Sequence, residues 1–181
     1  MPRPPRIEIP GGISHVYARG SRQQEIYRTG ADRTIYLRFL AQTVERYGWH
    51  CLAYCLMGNH VHLLIETPDA NLGQGMQRLH GRYAQRMNQR YGTKGALFES
   101  RYGRVLMEND AQLWMATRYI ARNPVEARLC TDADEYEWSS YRWVIRGTPP
   151  QFLSAKRLLT YLSVAGGDPV ENYRDLVAAD F

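Results

Sequence analysis

The chain has little of what would mark a secreted or membrane protein. Its 181 residues hold only three cysteines, Cys51, Cys55 and Cys130, an odd and scattered set that forms no disulfide framework and no C-x-x-C metal pattern. No run approaches the ~20 consecutive apolar residues of a membrane helix. The opening, Met1 to Gly12, lacks the apolar stretch of a signal peptide. These absences lead to the expectation of a reduced, cytoplasmic protein with no membrane partner. There is no internal repeat, which excludes a solenoid. The most telling absence is of acid: no Asp or Glu occurs between Asp69 and Glu99.

What is present is ordinary for a globular domain. Apolar residues make up 44% and charged residues 23%, enough to build one core without staples. Lys plus Arg is 23 against 18 Asp plus Glu, a formal net charge of +5. A basic balance in a small domain favours an anionic partner, with nucleic acid first.

Pro10-Gly11-Gly12 signals a turn, and Ile13–Arg19 alternates as a strand. Apolar spacing predicts a helix over 31–47, with Gly48 as its C-cap. Two apolar, β-branched and aromatic runs, 49–57 and 60–66, flank Gly58-Asn59 and predict a hairpin. Leu72, Met76, Leu79, Tyr83, Met87 and Tyr91 step by three or four and define the longest helix, 72–91. Residues 98–107 read as a strand. Asp110 is the expected N-cap of a helix ending near Asn123, because the residue before Pro124 is pushed out of the α region. Three short helices are expected over 138–146, 154–162 and 168–178. The order predicts an α+β fold, an antiparallel sheet with helices packed on one face. It divides into a domain over 1–147 and a helical C-terminal appendage over 148–181.

His60-Val61-His62 is the sharpest chemical feature. Residues two apart on a strand point the same way, so both imidazoles can serve one metal ion. Two exposed histidines at a strand start give the same spacing. Tyr119 and Asn123 are four apart and share a helix face. A tyrosine beside a metal can act as a nucleophile, and an amide oxygen is a fair ligand for a hard ion. The same pair also fits a core tyrosine and a helix-terminal asparagine. Arg78, Arg82, Arg86 and Arg90 form a stripe on the longest helix, continued by Lys94 and by Arg101 and Arg104. With Tyr83, Tyr91 and Tyr102 nearby, this tract suits a nucleic-acid backbone with stacked bases. Cys51 and Cys55 share a strand parity and read as core thiols. Glu66 is a weak candidate for a further ligand and reads better as a strand-end salt bridge.

Taken together these segments resemble a known family. Tyr54-Cys55-Leu56-Met57-Gly58-Asn59-His60-Val61-His62-Leu63-Leu64-Ile65-Glu66 looks like the signature strand of the IS200/IS605-type single-tyrosine transposases. Tyr119-Ile120-Ala121-Arg122-Asn123-Pro124-Val125 looks like the catalytic helix of the REP-associated branch. Pro10-Gly11-Gly12-Ile13-Ser14-His15-Val16 and Arg19-Gly20 fit that branch as well. The resemblance covers roughly residues 6 to 130 and implies a ferredoxin-like sheet, the HUH nuclease core. It implies His60 and His62 as the histidine pair, Asn123 as the third metal ligand, with Glu126 as a substitute, and Tyr119 as the nucleophile. The implied cofactor is Mg²⁺ or Mn²⁺, although neutral nitrogen ligands also accept Zn²⁺. The implied partner is single-stranded DNA carrying REP-like hairpins, cut to leave a 5′-phosphotyrosine and a free 3′-OH, by a nucleoid-associated protein acting as monomer or homodimer. The rival reading is a nucleic-acid-binding module of the same fold that does not cut.

Overall fold

The computed structural model describes residues 8–163 and 166–179. In chain order the elements are β1 (Gly12–Arg19), α1 (Gly30–Tyr47), β2 (His50–Leu56), β3 (His60–Thr67), α2 (Leu72–Tyr91), β4 (Gly103–Leu106), α3 (Asp110–Glu126), α4 (Ser140–Ile145), α5 (Ala155–Leu162) and α6 (Pro169–Ala178). The four strands make one antiparallel sheet in the order β2-β3-β1-β4. With α1 and α2 as the two crossovers, this is the ferredoxin-like βαββαβ arrangement, and the fold is α+β as the sequence predicts.

Local chemistry sets the ends of the crossover helices. Thr29 and Asp32 form a reciprocal capping box at the start of α1. Asp32 is fully buried and also accepts from the Tyr91 hydroxyl at 2.6 Å, while Arg90 pairs with it at 3.3 Å. One carboxylate thus ties the start of α1 to the end of α2. Gly48 and Gly92 close the two helices at φ of 64° and 63°, a left-handed conformation that glycine adopts without strain.

Helices lie on both faces of the sheet, not on one. β2 and β3 are buried almost without interruption, so both of their faces need apolar cover. Val16, Val61, Leu63 and Ile65 point to one face and are at most 1% exposed. This is the face of α1 and α2, which pack on each other and bring Tyr36 beside Cys51. The opposite face carries His15, Tyr17, His60 and His62 and is crossed by α3. One glycine lets layers meet closely. A Cβ on Gly75 of α2 would stand 2.0 Å from the Trp49 ring, which is itself held by a 2.7 Å bond from its indole N–H to Asn71. Gly75→Ala is expected to cost about 1–3 kcal/mol by overpacking, measurable by urea unfolding.

Several sequence expectations are corrected. The strand over 98–107 shrinks to Gly103–Leu106, because Phe98 and Tyr102 are apolar for loop packing and not for a ladder. Cys51 and Cys55 point to opposite faces, since a bulge between Cys51 and Ala53 shifts the register. Asn109, not Asp110, caps α3, accepting from the Gln112 N–H at 2.9 Å. α3 also runs through Pro124 to Glu126 and ends where Arg128 turns left-handed at φ 58°. Proline there removes one backbone donor only, and the bonds Ala127 N to Asn123 O and Leu129 N to Pro124 O keep the last turn wound.

The residues after α3 complete the core. Segment 138–154 covers the outer edge of β2, with Leu56 N donating to Trp138 O, Tyr54 N to Ser140 Oγ and Ser154 N to Cys51 O, which protects an otherwise open strand. Residues 148–181, expected as a helical appendage, supply α5 and α6, whose Leu158, Tyr173 and Val177 lie in the common core. Arg157 of α5 clasps Glu66 of β3 through Nε at 2.6 Å and Nη2 at 2.5 Å, and the Tyr161 hydroxyl adds a 3.1 Å bond. Burial alone would raise the Glu66 carboxyl, but these bonds outweigh it and hold it below its ordinary value. A carboxyl lowered by folding stabilises the fold fully at neutral pH, and that contribution fades as pH falls below the ordinary carboxylate range. Wild type is therefore expected to lose more thermal stability than Glu66→Gln between pH 6 and about pH 3, read from paired melting curves.

Candidate active site

The β1–β3 register builds the site. Direct partners on antiparallel strands share a face, and the pairs His15–Leu64 and Tyr17–His62 place His15, Tyr17, His60 and His62 together. α3 lays Tyr119 and Asn123 over them. The His60 Nε2 lies 3.1 Å from Asn123 Oδ1, and the Tyr119 ring stands edge-on to His62 at a centroid distance of 5.2 Å. These four sequence-predicted residues come from chain segments about sixty apart and meet at one spot. Tyr119 is 49% exposed, whereas His62 and Asn123 are buried. The group opens into a cleft of about 470 Å³ lined by Tyr17, Arg19, His60, His62, Glu99, Arg101 and Tyr119. The Tyr17 ring stays in that wall because its partner is Gly103, where a Cβ would stand 2.1 Å from the ring.

The protonation pattern follows from the neighbours. Asn59 Oδ1 is 2.7 Å from His60 Nδ1, so that nitrogen carries the proton. Burial, with a push from Arg19, lowers the His60 pKa despite the bond to Asn123, and the ring is neutral. Its Nε2 then points at the Asn123 amide, 3.1 Å from Oδ1. His62 Nδ1 meets His15 Nε2 at 3.0 Å, while its Nε2 is buried with no partner. Burial first, then His15 and His60, push His62 down to about 3, and burial pushes His15 down to about 4.

The His60 ring nitrogen, the Asn123 amide oxygen and the orphaned buried nitrogen of His62, drawn to one spot, are neutral donors that a cation can take. Among the described residues no group of three His, Cys, Asp or Glu could hold an ion. The Asn123 amide oxygen lies beside His60 at 3.1 Å, and Glu126, three residues on, is paired with Arg122 at 3.0 Å. The donor set His60, His62 and Asn123 carries no negative charge, so a divalent ion placed there keeps its full charge for an anionic substrate.

The basic residues divide. Arg101 lines the cleft, and Arg104 lies on β4. Arg78, Arg82, Arg86 and Arg90 sit on α2 in the layer opposite Tyr119, followed by the exposed Lys94. Arg82 bonds Gln42 at 2.8 Å and lies over the Phe39 ring, and Arg90 holds Asp32, so two of the stripe tie helices together. His15 is the site residue that sequence reasoning missed. Its parity with Tyr17 was readable, but its contact with His62 depends on cross-strand register.

α3 is fastened from behind. Trp114 Nε1 donates to Tyr161 O at 3.2 Å, Arg122 Nη1 to Val177 O at 3.1 Å, and Arg118 to Ala179 O.

Comparison with known proteins bears on the family and the fold. Residues 13–123 match the family model described as transposase IS200 like. No curated protein sequence matches the chain. Among solved structures, the chain is similar to a REP-associated tyrosine transposase bound to a REP hairpin, with a TM-score of 0.67 and 18% identity over 83% of this chain and 89% of that one. A chain from Deinococcus radiodurans R1 described as a transposase has a TM-score of 0.44 and 20% identity, over 64% of this chain and 91% of that one. Among the described residues no helix is long and apolar enough to cross a membrane.

Proposed function

The chain belongs to the IS200-like transposase family, and from that membership and the clustered side chains we propose that it is a metal-dependent single-strand DNA endonuclease and strand transferase of the single-tyrosine HUH type. The observation that carries the reading is the meeting of Tyr119 with His60, His62 and Asn123 at the mouth of one cleft that also holds Arg19 and Arg101. Its DNA would be a REP-like hairpin, the ligand in the similar structure, and its place of action the cytoplasm, at the nucleoid.

The Tyr119 oxygen attacks the scissile phosphorus in line. A Tyr119–phosphate bond forms as the bond from phosphorus to the 3′ oxygen breaks. The phenolic proton is lost, and the departing oxygen takes up a proton to become a 3′-OH. The phosphotyrosine keeps the energy of the broken bond, so a 3′-OH from another strand can reverse the step and join DNA. His60 Nε2, His62 Nε2 and Asn123 Oδ1 would hold Mg²⁺ or Mn²⁺, which when bound polarises the phosphate and offsets charge on its non-bridging oxygens. Arg101 would take the phosphate beside the cut. Arg78, Arg86 and Lys94, in the other layer, would reach only DNA that passes round the sheet, with Arg104 on the edge strand between. Such contacts make affinity fall steeply with salt.

The test is incubation of the full chain with Mn²⁺ or Mg²⁺ and a single-stranded hairpin oligonucleotide taken from DNA flanking its gene. A protein–DNA adduct that survives denaturant is the expected result. Tight hairpin binding without an adduct would leave the non-cutting binding module in its place.

A further inference from the structure

We propose that His15 is a positioning residue, which fixes the ring of His62 in the tautomer that can ligate a metal and seats the ring of Tyr119 beside it. The proposal rests on the reading of His60, His62 and Asn123 as a metal site.

Three contacts carry it. His15 Nε2 is 3.0 Å from His62 Nδ1. The His15 ring lies 5.2 Å from the His62 ring and 5.8 Å from the Tyr119 ring, the latter at 60°. The far nitrogen of His62, Nε2, is buried and has no partner. Only one proton can occupy the line between Nε2 of His15 and Nδ1 of His62. If His15 donates it, His62 must carry its own proton on Nε2, a buried N–H with no acceptor, which cannot bind a cation. If His62 donates, Nε2 is left with a lone pair directed at the site. His15 as acceptor selects the second state.

The pairing has a logic of charge. Many metal-binding histidines donate their second nitrogen to a carboxylate. A neutral imidazole in that role orients His62 without adding an anion. The donors that would hold the metal then stay uncharged, which suits a phosphodiester substrate. His60 is held in the matching tautomer by the amide oxygen of Asn59, so both ligands are fixed by neutral acceptors. His15 also spans the two halves of the site, since the ring that orients His62 on β3 touches Tyr119 on α3.

The experiment uses the full chain and two variants. His15→Phe keeps a ring against Tyr119 and lacks an acceptor, while His15→Gln restores an acceptor oxygen. Mn²⁺ binding without DNA is followed by electron paramagnetic resonance, and the His62 tautomer by long-range ¹H–¹⁵N NMR. Thermal melting and hairpin affinity serve as controls for folding. Expected are a proton on His62 Nδ1 in wild type and a fall of about 10–100-fold in Mn²⁺ affinity for His15→Phe. Melting and hairpin affinity stay unchanged, and His15→Gln recovers most of the loss. A folded His15→Phe that binds Mn²⁺ like wild type overturns the proposal. So does a wild-type His62 protonated on Nε2. Wild type that fails to bind Mn²⁺ sinks the metal reading instead, and the tautomer measurement then decides the role of His15 alone.

Discussion

Tyr119→Phe abolishes the covalent DNA adduct and lowers strand cleavage by roughly 10³–10⁶-fold, the range seen when a nucleophile is deleted. The substitution removes one oxygen and little else. The ring contacts to His15 and His62 persist, and the side chain is half exposed, so no buried partner is orphaned. Melting temperature and hairpin affinity therefore stay at wild-type values. The readout is a denaturing gel with the oligonucleotide labelled on the 3′ side of the cut, the piece that stays attached to Tyr119. A Tyr119→Phe protein that still forms the adduct would move the nucleophile elsewhere, and Tyr17, exposed in the same cleft, is the next residue to test.

The paired substitution His60→Ala and His62→Ala is expected to eliminate measurable Mn²⁺ binding and to lower cleavage by about 10³-fold or more. With both nitrogens gone, Asn123 Oδ1 is a single neutral donor, too few to hold a hydrated ion. Hairpin affinity should persist, because phosphate contacts come from arginines outside the cluster. Titration calorimetry with Mn²⁺, beside a gel-shift with the uncut hairpin, separates the two effects. Cleavage that survives the double substitution, and that chelator leaves untouched in wild type, would remove the metal from the mechanism.

Much of this molecule was legible before its structure. α2 begins and ends at the expected residues, Leu72 and Tyr91, because its apolar stripe is long and glycine closes it. The shared direction of His60 and His62 followed from the period of a strand, and that of Tyr119 and Asn123 from the turn of a helix. What periodicity cannot supply is which surface meets which. Nothing local says that α3 crosses the histidine face while α2, with its arginines, covers the other. The same limit hid His15, whose importance lies in a diagonal contact set by register. Local rules also misjudged Pro124, where tertiary contacts to α3 outweigh one missing donor, and residues 98–102, whose aromatics serve packing. The bulge that separates Cys51 from Cys55 adds a residue that alternation alone does not reveal.

The fastening of α3 from behind has a consequence in time. Synthesis runs from the N-terminus, and Tyr119 leaves the ribosome roughly 60 residues before Val177 and Ala179, a lag of about 3–12 s at usual rates. The carbonyls that hold Arg122 and Arg118 belong to those late residues. A nascent chain at that stage carries Tyr119 on a helix that already packs on β2 and β3 but lacks these rear bonds. Chains cut short before Val177 keep Tyr119 and lose the carbonyls that hold Arg122 and Arg118.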